Sequence, residues 1–487
     1  MFVRVLYIDI DSLRPDHLGC YGYHRKTSPV MDQLAEEGAR FTEVYASDAP
    51  CLPSRTALFS GRFGIKNGVV GHGGTAGNPF IQGVGRGFRD RFGEESWPAL
   101  LRRAGMRTVT VSTFADRHSA WHWYAGFNEV YNHGTCGEEG AHEVVPYALR
   151  WIEDYGTEEN WFLHVNLWDP HTPYRVPEDY GNPFQQEPAP TWLTEEILAE
   201  HRTGFGPHSA REPHGFGGER VDRWPRVPQE IGSLNDYKQW MDGYDTGIRY
   251  ADEHIGQLLE ALEKQGVLDE VLIIVSADHG ESQGEMNVYG DHQLADTFTC
   301  RVPLIIKGPG VKRGVVDEAL HYHLDLAPTV CEWMGVEIPQ DWDGRSFAST
   351  LRSGEPKGRE HLVLSQGAWA CQRGVRFGDW LFLRTYHTGL KDLKPTMLFH
   401  LREDPHQTKD RAPDRPDIVG EGKARLESWL ADTMVDSVKN MDPMWTVLRE
   451  GGPFHTRGML ESYGRWLRET GRGEHAEYLE AHPTGLP

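Results

Sequence analysis

The most restrictive feature of this chain is a long helical stretch that runs directly into a β-branched strand. Between Tyr237 and Gln265, apolar residues fall at Ile248, Ala251, Ile255, Leu258, Leu259 and Leu262, the spacing of one helix face. Gly266 then leads into Val271–Ser276, which reads as a parallel strand buried on both faces. The same alternation recurs upstream. Arg4–Ile10, Arg107–Thr113 and Trp161–Trp168 read as strands, Pro29–Gly38 and Ala141–Tyr155 as helices. This order predicts an α/β fold, a large doubly wound, mixed but mostly parallel sheet flanked by helices. Ligands of such sheets sit beyond the carboxyl ends of the strands.

Two regions break the pattern. Residues 180–230, rich in Pro, Gly, His and Trp, read as a long surface insertion, either a functional lid or a plain loop. The large domain is predicted over 1–360 and a smaller α+β subdomain over 361–487. In the latter, short antiparallel strands are expected within Gly367–Thr385 and Leu398–Leu401. A helix follows from Pro416 to Met434, then a tail that docks on the chain or serves a homo-oligomer contact.

Charge and cysteine usage narrow the function. The 487 residues carry 72 acidic and 50 basic side chains, a formal net charge of −22, which argues against a nucleic-acid partner. A local basic cluster could still bind an anion. The longest apolar runs, such as Val271–Val275, are too short to span a membrane. No basic region, apolar stretch and cleavage site open the chain, so it reads as cytoplasmic. The six cysteines lack C-x-x-C spacing and suggest neither disulfides nor structural zinc. Five are expected to be ordinary buried thiols, with Cys51 set apart by its context.

Three motifs carry chemistry. In Asp9-Ile10-Asp11-Ser12-Leu13-Arg14, two acids alternate on a buried strand and share a face. Buried carboxylates are costly unless a cation meets them. Asp11 at the strand end suits a metal and Asp9 a supporting role, although a turn-capping acid would look similar. In Val275-Ser276-Ala277-Asp278-His279-Gly280, a second strand ends in oxygen and imidazole donors, and Gly280 removes Cβ hindrance from the turn. In Cys51-Leu52-Pro53-Ser54-Arg55, a proline suits a first helical turn whose free N–H groups favour anions. Arg55 adds a planar guanidinium suited to tetrahedral oxyanions.

With these motifs in this order, the chain resembles the type I sulfatases of the alkaline phosphatase superfamily over about residues 3–430. Arg301-Val302-Pro303-Leu304-Ile305-Ile306, Asp325-Leu326-Ala327-Pro328-Thr329 and Asp343-Gly344-Arg345-Ser346 extend the match. The resemblance implies that a formylglycine-generating enzyme oxidises Cys51 to formylglycine. Its hydrate would attack sulfur or phosphorus in line, and the second hydroxyl would later help expel the anion. It implies a divalent cation on Asp11, Asp278, His279 and residue 51, calcium being the usual family metal and manganese an alternative. It gives Arg55 the orientation of diol and anion.

His171, in Trp168-Asp169-Pro170-His171, matches a family histidine near the ester oxygen. His292 lies where many sulfatases have lysine, and either histidine could protonate the leaving alcohol. His72, in Val70-Gly71-His72-Gly73, matches a polar substrate contact. For each, a packed or solvent-facing histidine is the plainer alternative. The Gly-Lys-Trp-His-like segment of many relatives is replaced by Ser112-Thr113-Phe114-Ala115, which places Thr113 at the lysine position as a substrate contact. Less positive charge there would suit a diester or phosphonate as well as a sulfate.

Trp121-His122-Trp123-Tyr124 reads as packing rather than a sugar platform, His321 and His323 as packed, and the insertion histidines His201, His208 and His214 as solvent-facing. The expected activity is hydrolysis of a sulfate ester on a carbohydrate or small organic alcohol. A formylglycine-dependent phosphonate monoester or phosphodiester hydrolase is the alternative, and a non-catalytic binding protein of the same fold a remote one.

Overall fold

The computed structural model describes residues 3–80, 91–219, 221–437 and 439–486. The labelled elements, in chain order, are β1 (Arg4–Ile10), α1 (Pro29–Glu37), β2 (Ala39–Tyr45), α2 (Cys51–Ser60), β3 (Arg107–Val111), α3 (Ala141–Tyr155) and β4 (Trp161–Leu167). After these come α4 (Leu234–Lys264), β5 (Val271–Ala277) and β6 (Arg301–Lys307). The large sheet runs Val315–Asp317, β2, β6, β5, β1, β4, β3, Glu129–Tyr131, with His321–Tyr322 added beside β2. β5, β1, β4 and β3 are mutually parallel, and β6 runs antiparallel to both β5 and β2.

Every residue of β1, β4 and β5 is buried. Most of their side chains are apolar because helices cover both faces and no solvent side needs polar alternation. One set of helices, α1, α3 and α4, pack on one another; α2, Trp97–Arg103 and Leu326–Trp333 form a second set. The doubly wound, mixed and mostly parallel sheet therefore stands as the periodicity indicated.

A second, antiparallel sheet joins β7 (His361–Gln366), β8 (Cys371–Phe377), β9 (Trp380–His387) and β10 (Thr396–His400). It takes Asp48–Ala49, just before α2, as its edge strand, so the segment that presents Cys51 is tied to both sheets. Helix α5 (Pro416–Val435) packs on β8 and β9. The tail contributes α6 (Leu460–Glu469) and α7 (Gly473–Ala481), which pair with each other. Among the described residues no helix is long and apolar enough to cross a membrane.

Two expectations are corrected. The 180–230 segment is packed rather than superficial, with Leu193, Leu198, Ala210, Val221 and Val227 entering the main core. Its apolar residues lack strand or helix spacing, so periodicity could not reveal their burial. Nor are five cysteines ordinary buried thiols. Cys300, Cys331 and Cys371 are, whereas Cys20 is half-buried and Cys136 exposed.

Candidate active site

Four chain segments meet at the carboxyl edge of the large sheet. Asp11 follows β1, Asp278 and His279 follow β5, His171 lies beyond β4, and Cys51 opens α2. Helix α2 is buried at all ten positions, so its first turn is held against the strand ends. It stops at Gly61, in the left-handed region at φ +64°, where a Cβ would overlap the Trp342 ring.

Arg55 organises the floor. Its Nε donates to Asp9 Oδ2 at 2.8 Å and its Nη1 to Asp11 Oδ2 at 3.0 Å, with a further bond from Nη1 to Asp278 Oδ2. The guanidinium carbon lies 4.6 Å from the centre of the Phe114 ring. Arg55 and the three carboxylates are wholly buried. Nη2 has no hydrogen-bond partner, so one buried charged donor is left unsatisfied.

Three acids against one guanidinium leave an excess of buried negative charge. The titration directions follow from this. Burial opposes ionisation of Asp9 and Asp11, but Arg55 outweighs it and holds both below the usual carboxylate range. Asp278 is held well above that range, by burial and by Asp11 and Asp9 beside it. A divalent cation would relieve the same excess. Asp11, Cys51, Asp278 and His279 offer donor atoms that all lie within 4.8 Å of one another. His279 Nδ1 lies 2.8 Å from the Gly280 carbonyl and so carries its proton. That turns the Nε2 lone pair inward, 3.0 Å from Cys51 Sγ. The donor set fits a divalent cation on physical grounds. Asp9, bonded to Arg55 and 3.5 Å from His164 Nε2, supports the site from outside this cluster.

Above the floor lies an open cavity of about 590 Å³. Cys51, His72, His171 and His292 line it together with Arg117, His118, Asp291, Trp369, Phe454 and His455. His171 Nδ1 faces the Thr172 carbonyl at 2.5 Å, which leaves Nε2 available. The rings of His292 and His171 are 5.6 Å apart, and those of His292 and His279 4.2 Å. His292 Nδ1, His72 Nε2 and His118 Nε2 are buried without partners. Burial pushes His171 and His292 down to about 3 and His279 and His455 to about 4, and holds His72 and His118 well below the usual histidine value. The cavity is thus lined by neutral imidazoles that an entering anion would push upward.

Thr113 departs from expectation. Its hydroxyl donates to Glu139 and accepts the Trp168 indole N–H at 3.1 Å, so it is committed away from the cavity. One turn further along the short helix Phe114–His118, Arg117 and His118 face the cavity instead. Arg117 is the only arginine or lysine among its described lining residues, and it restores cationic character that the missing lysine had seemed to remove.

Sequence reasoning also missed His455, which the tail brings to within 2.8 Å of His72 Nδ1 through its Nε2, with its ring stacked 4.5 Å from Trp369. The insertion histidines are corrected as well. His201 lies 2.8 Å from the Tyr289 hydroxyl, His214 2.8 Å from the Pro228 carbonyl, and His208 2.9 Å from Asp291 Oδ2. His321 and His323 are buried and hydrogen-bonded, and Trp123 is core packing.

Comparison with known proteins places this geometry. Residues 4–336 match the Sulfatase family model. N-acetylglucosamine-6-O-sulfatase of Bacteroides thetaiotaomicron is 25% identical over 414 residues, covering 72% of this chain and 71% of its own. A solved structure in complex with its substrate D-glucosamine-2-N,6-O-disulfate superposes with a TM-score of 0.71 at 21% identity, over 91% of this chain and 99% of the other. The phosphonate monoester hydrolase of Agrobacterium radiobacter gives 0.70 at 20% identity, over 88% and 96%. The family match spans more than half the chain, so the chain belongs to the sulfatase family of the alkaline phosphatase superfamily.

Proposed function

We propose that this enzyme hydrolyses the sulfate ester of a carbohydrate or small organic alcohol, with residue 51 acting as formylglycine. One observation carries the reading. Cys51 lines an open cavity with its Sγ within 4.8 Å of donor atoms on Asp11, Asp278 and His279, and Arg55 bonds both of those carboxylates. Asp11, Asp278 and His279 would hold the divalent cation, calcium by family habit or manganese. When present, formylglycine supplies a hydrated aldehyde as nucleophile, and the cation supplies Lewis-acid activation.

The chain's own groups do the rest. Arg55 Nη2 and Arg117 grip and orient the anion, aided by the imidazoles of His72 and His118. His171 keeps Nε2 turned from its anchored Nδ1 for the ester oxygen. His292 hands a proton to the leaving alcohol, its pKa raised by the bound anion. The cavity volume and the Trp369–Phe454–His455 wall suit a sugar-sized alcohol.

The alternative, a phosphonate monoester or phosphodiester hydrolase, draws on the similar superposition of the phosphonate monoester hydrolase and on the absence of lysine from the described lining. Side-by-side turnover of an aryl sulfate and an aryl phosphodiester by matured enzyme decides between them. Faster sulfate release is expected, and a clear preference for the diester would reverse the assignment. Cys51→Ala is expected to abolish turnover and keep the fold. Normal turnover in that variant, or a purely thiol Cys51 peptide by mass spectrometry in active enzyme, would refute the nucleophile.

A further inference from the structure

His208 belongs to the insertion, 37 positions past His171, yet it touches Asp291 and Trp369, two residues that line the cavity. Its backbone is left-handed, at φ +60°. Residues other than glycine adopt that conformation uncommonly, although histidine does so more readily than most. Its N–H donates to the Gly215 carbonyl at 2.9 Å and its carbonyl accepts Tyr289 N–H at 2.8 Å, which pins the residue on both sides. The side chain is largely buried and sits edge-on to Trp369, with ring centres 5.2 Å apart.

The consequence falls on His292. His208 Nε2 lies 2.9 Å from Asp291 Oδ2, while Asp291 Oδ1 accepts the His292 backbone N–H at 2.6 Å. One carboxylate therefore has one oxygen on the insertion and the other on the cavity histidine. The segment carrying His208 is itself anchored from outside. Gly206 N–H donates to the Tyr463 hydroxyl at 2.6 Å, Lys391 Nζ to the Pro207 carbonyl, and Glu212 accepts Arg472 and, at 2.9 Å, the Trp466 indole. The tail thus anchors the insertion, and the insertion in turn meets the carboxylate that holds the His292 backbone.

We propose that His208 is a positioning residue for His292, acting through Asp291 and held in place by the tail helices. This deepens the function proposed above and rests on His292 belonging to the catalytic site. A displacement of about 1 Å in such a group costs about a hundredfold in rate, so the arrangement has a measurable consequence.

The test is a double-mutant cycle on turnover of a sulfate ester with a poor leaving group, such as a sugar sulfate, by matured enzyme, because proton donation from His292 counts most there. His208→Ala is expected to lower kcat by about 10- to 100-fold with KM little changed, and His208→Gln, which can still donate to Asp291, to recover most of it. In a His292→Ala background the His208→Ala loss should vanish, because the group being positioned is gone. A loss of equal size in that background, or no loss in the single variant, overturns the proposal. If His208→Ala does not fold, the same cycle is run with His208→Leu, which keeps an apolar side chain against Trp369 but cannot bond Asp291, judged by the same two outcomes. The reading of His292 as proton donor is tested separately. His292→Ala should suffer more on poor leaving groups than on activated aryl esters, and an even loss defeats that role while the cycle still reports on positioning.

Discussion

Arg55 is where stability and the proposed chemistry fall on one residue. It meets three carboxylates from two strand ends in a site with no solvent to share their charge. Removing one partner of a buried ionic group costs about 3–5 kcal/mol, because the remaining charges are left unpaired. Arg55→Met is therefore expected to lose about that much in urea unfolding. A saturating divalent cation should recover part of it by neutralising Asp11 and Asp278. Arg55→Lys tests the other half. A lysine keeps the charge but cannot span three acids and offer a fourth N–H. Loss of the free Nη2 donor to a developing oxyanion is expected to lower kcat by about 10²–10³, with a smaller change in stability than the methionine variant. Equal stability losses in the two variants would mean that charge alone, not the fork geometry, holds the floor.

At the scale of elements, the site depends on where strands stop. β5 runs apolar to Ala277 and then turns, and the turn is possible because Gly280 lies against the carbonyl of Phe298. A Cβ there would overlap that oxygen, so Gly280→Ala must shift backbone next to His279. The expected outcome is reduced metal content and activity at a cost of about 1–3 kcal/mol. Metal analysis of the purified variant checks it, and full occupancy would show that the turn tolerates the shift. These strand-end features were legible in the sequence because buried strands write themselves as β-branched runs, and a polar residue just past such a run stands out. Asp11, Asp278 and His279 were found that way. Arg117, His118 and His455 were not. Arg117 and His118 ride on a helix of five residues, too short for periodicity to show a face. Thr113 was chosen by position within the motif, although its buried partner Glu139 comes from 26 residues on. The signal for Arg117–His118 was a basic pair directly after a strand and its turn, which a search for replacement cations would have caught. His455 left no such signal, since it meets His72 across 383 residues of chain and only the folded tail brings them together.

At the scale of the whole molecule, the insertion, the second sheet and the tail close on the same edge of the large sheet, and Lys391 sits in the seam. Its ammonium is buried and donates to the Pro207 carbonyl of the insertion, while Phe205, Leu390, Tyr463, Leu467 and Leu479 pack around the seam. Burial pushes its pKa down to about 7, against the pull of Asp291 and Glu212. The sign of the linkage follows. Between about pH 7 and the ordinary lysine value near 10.4, the unfolded chain holds a proton that the folded chain has released, so stability rises with pH across that window. The contribution is fully present above the ordinary value and is lost as pH falls through about 7. Lys391→Met keeps the volume and removes the titration. Urea unfolding of both proteins at several pH values from 7 to 9.5 should show the wild type gaining on the variant by up to about 1.4 kcal/mol per pH unit. The other titrations of the protein are common to both curves and cancel in the difference. Parallel curves would mean that the ammonium remains charged in the seam, held by Asp291 and Glu212. The insertion and tail would then be joined by an ion cluster rather than by a neutral amine among apolar side chains.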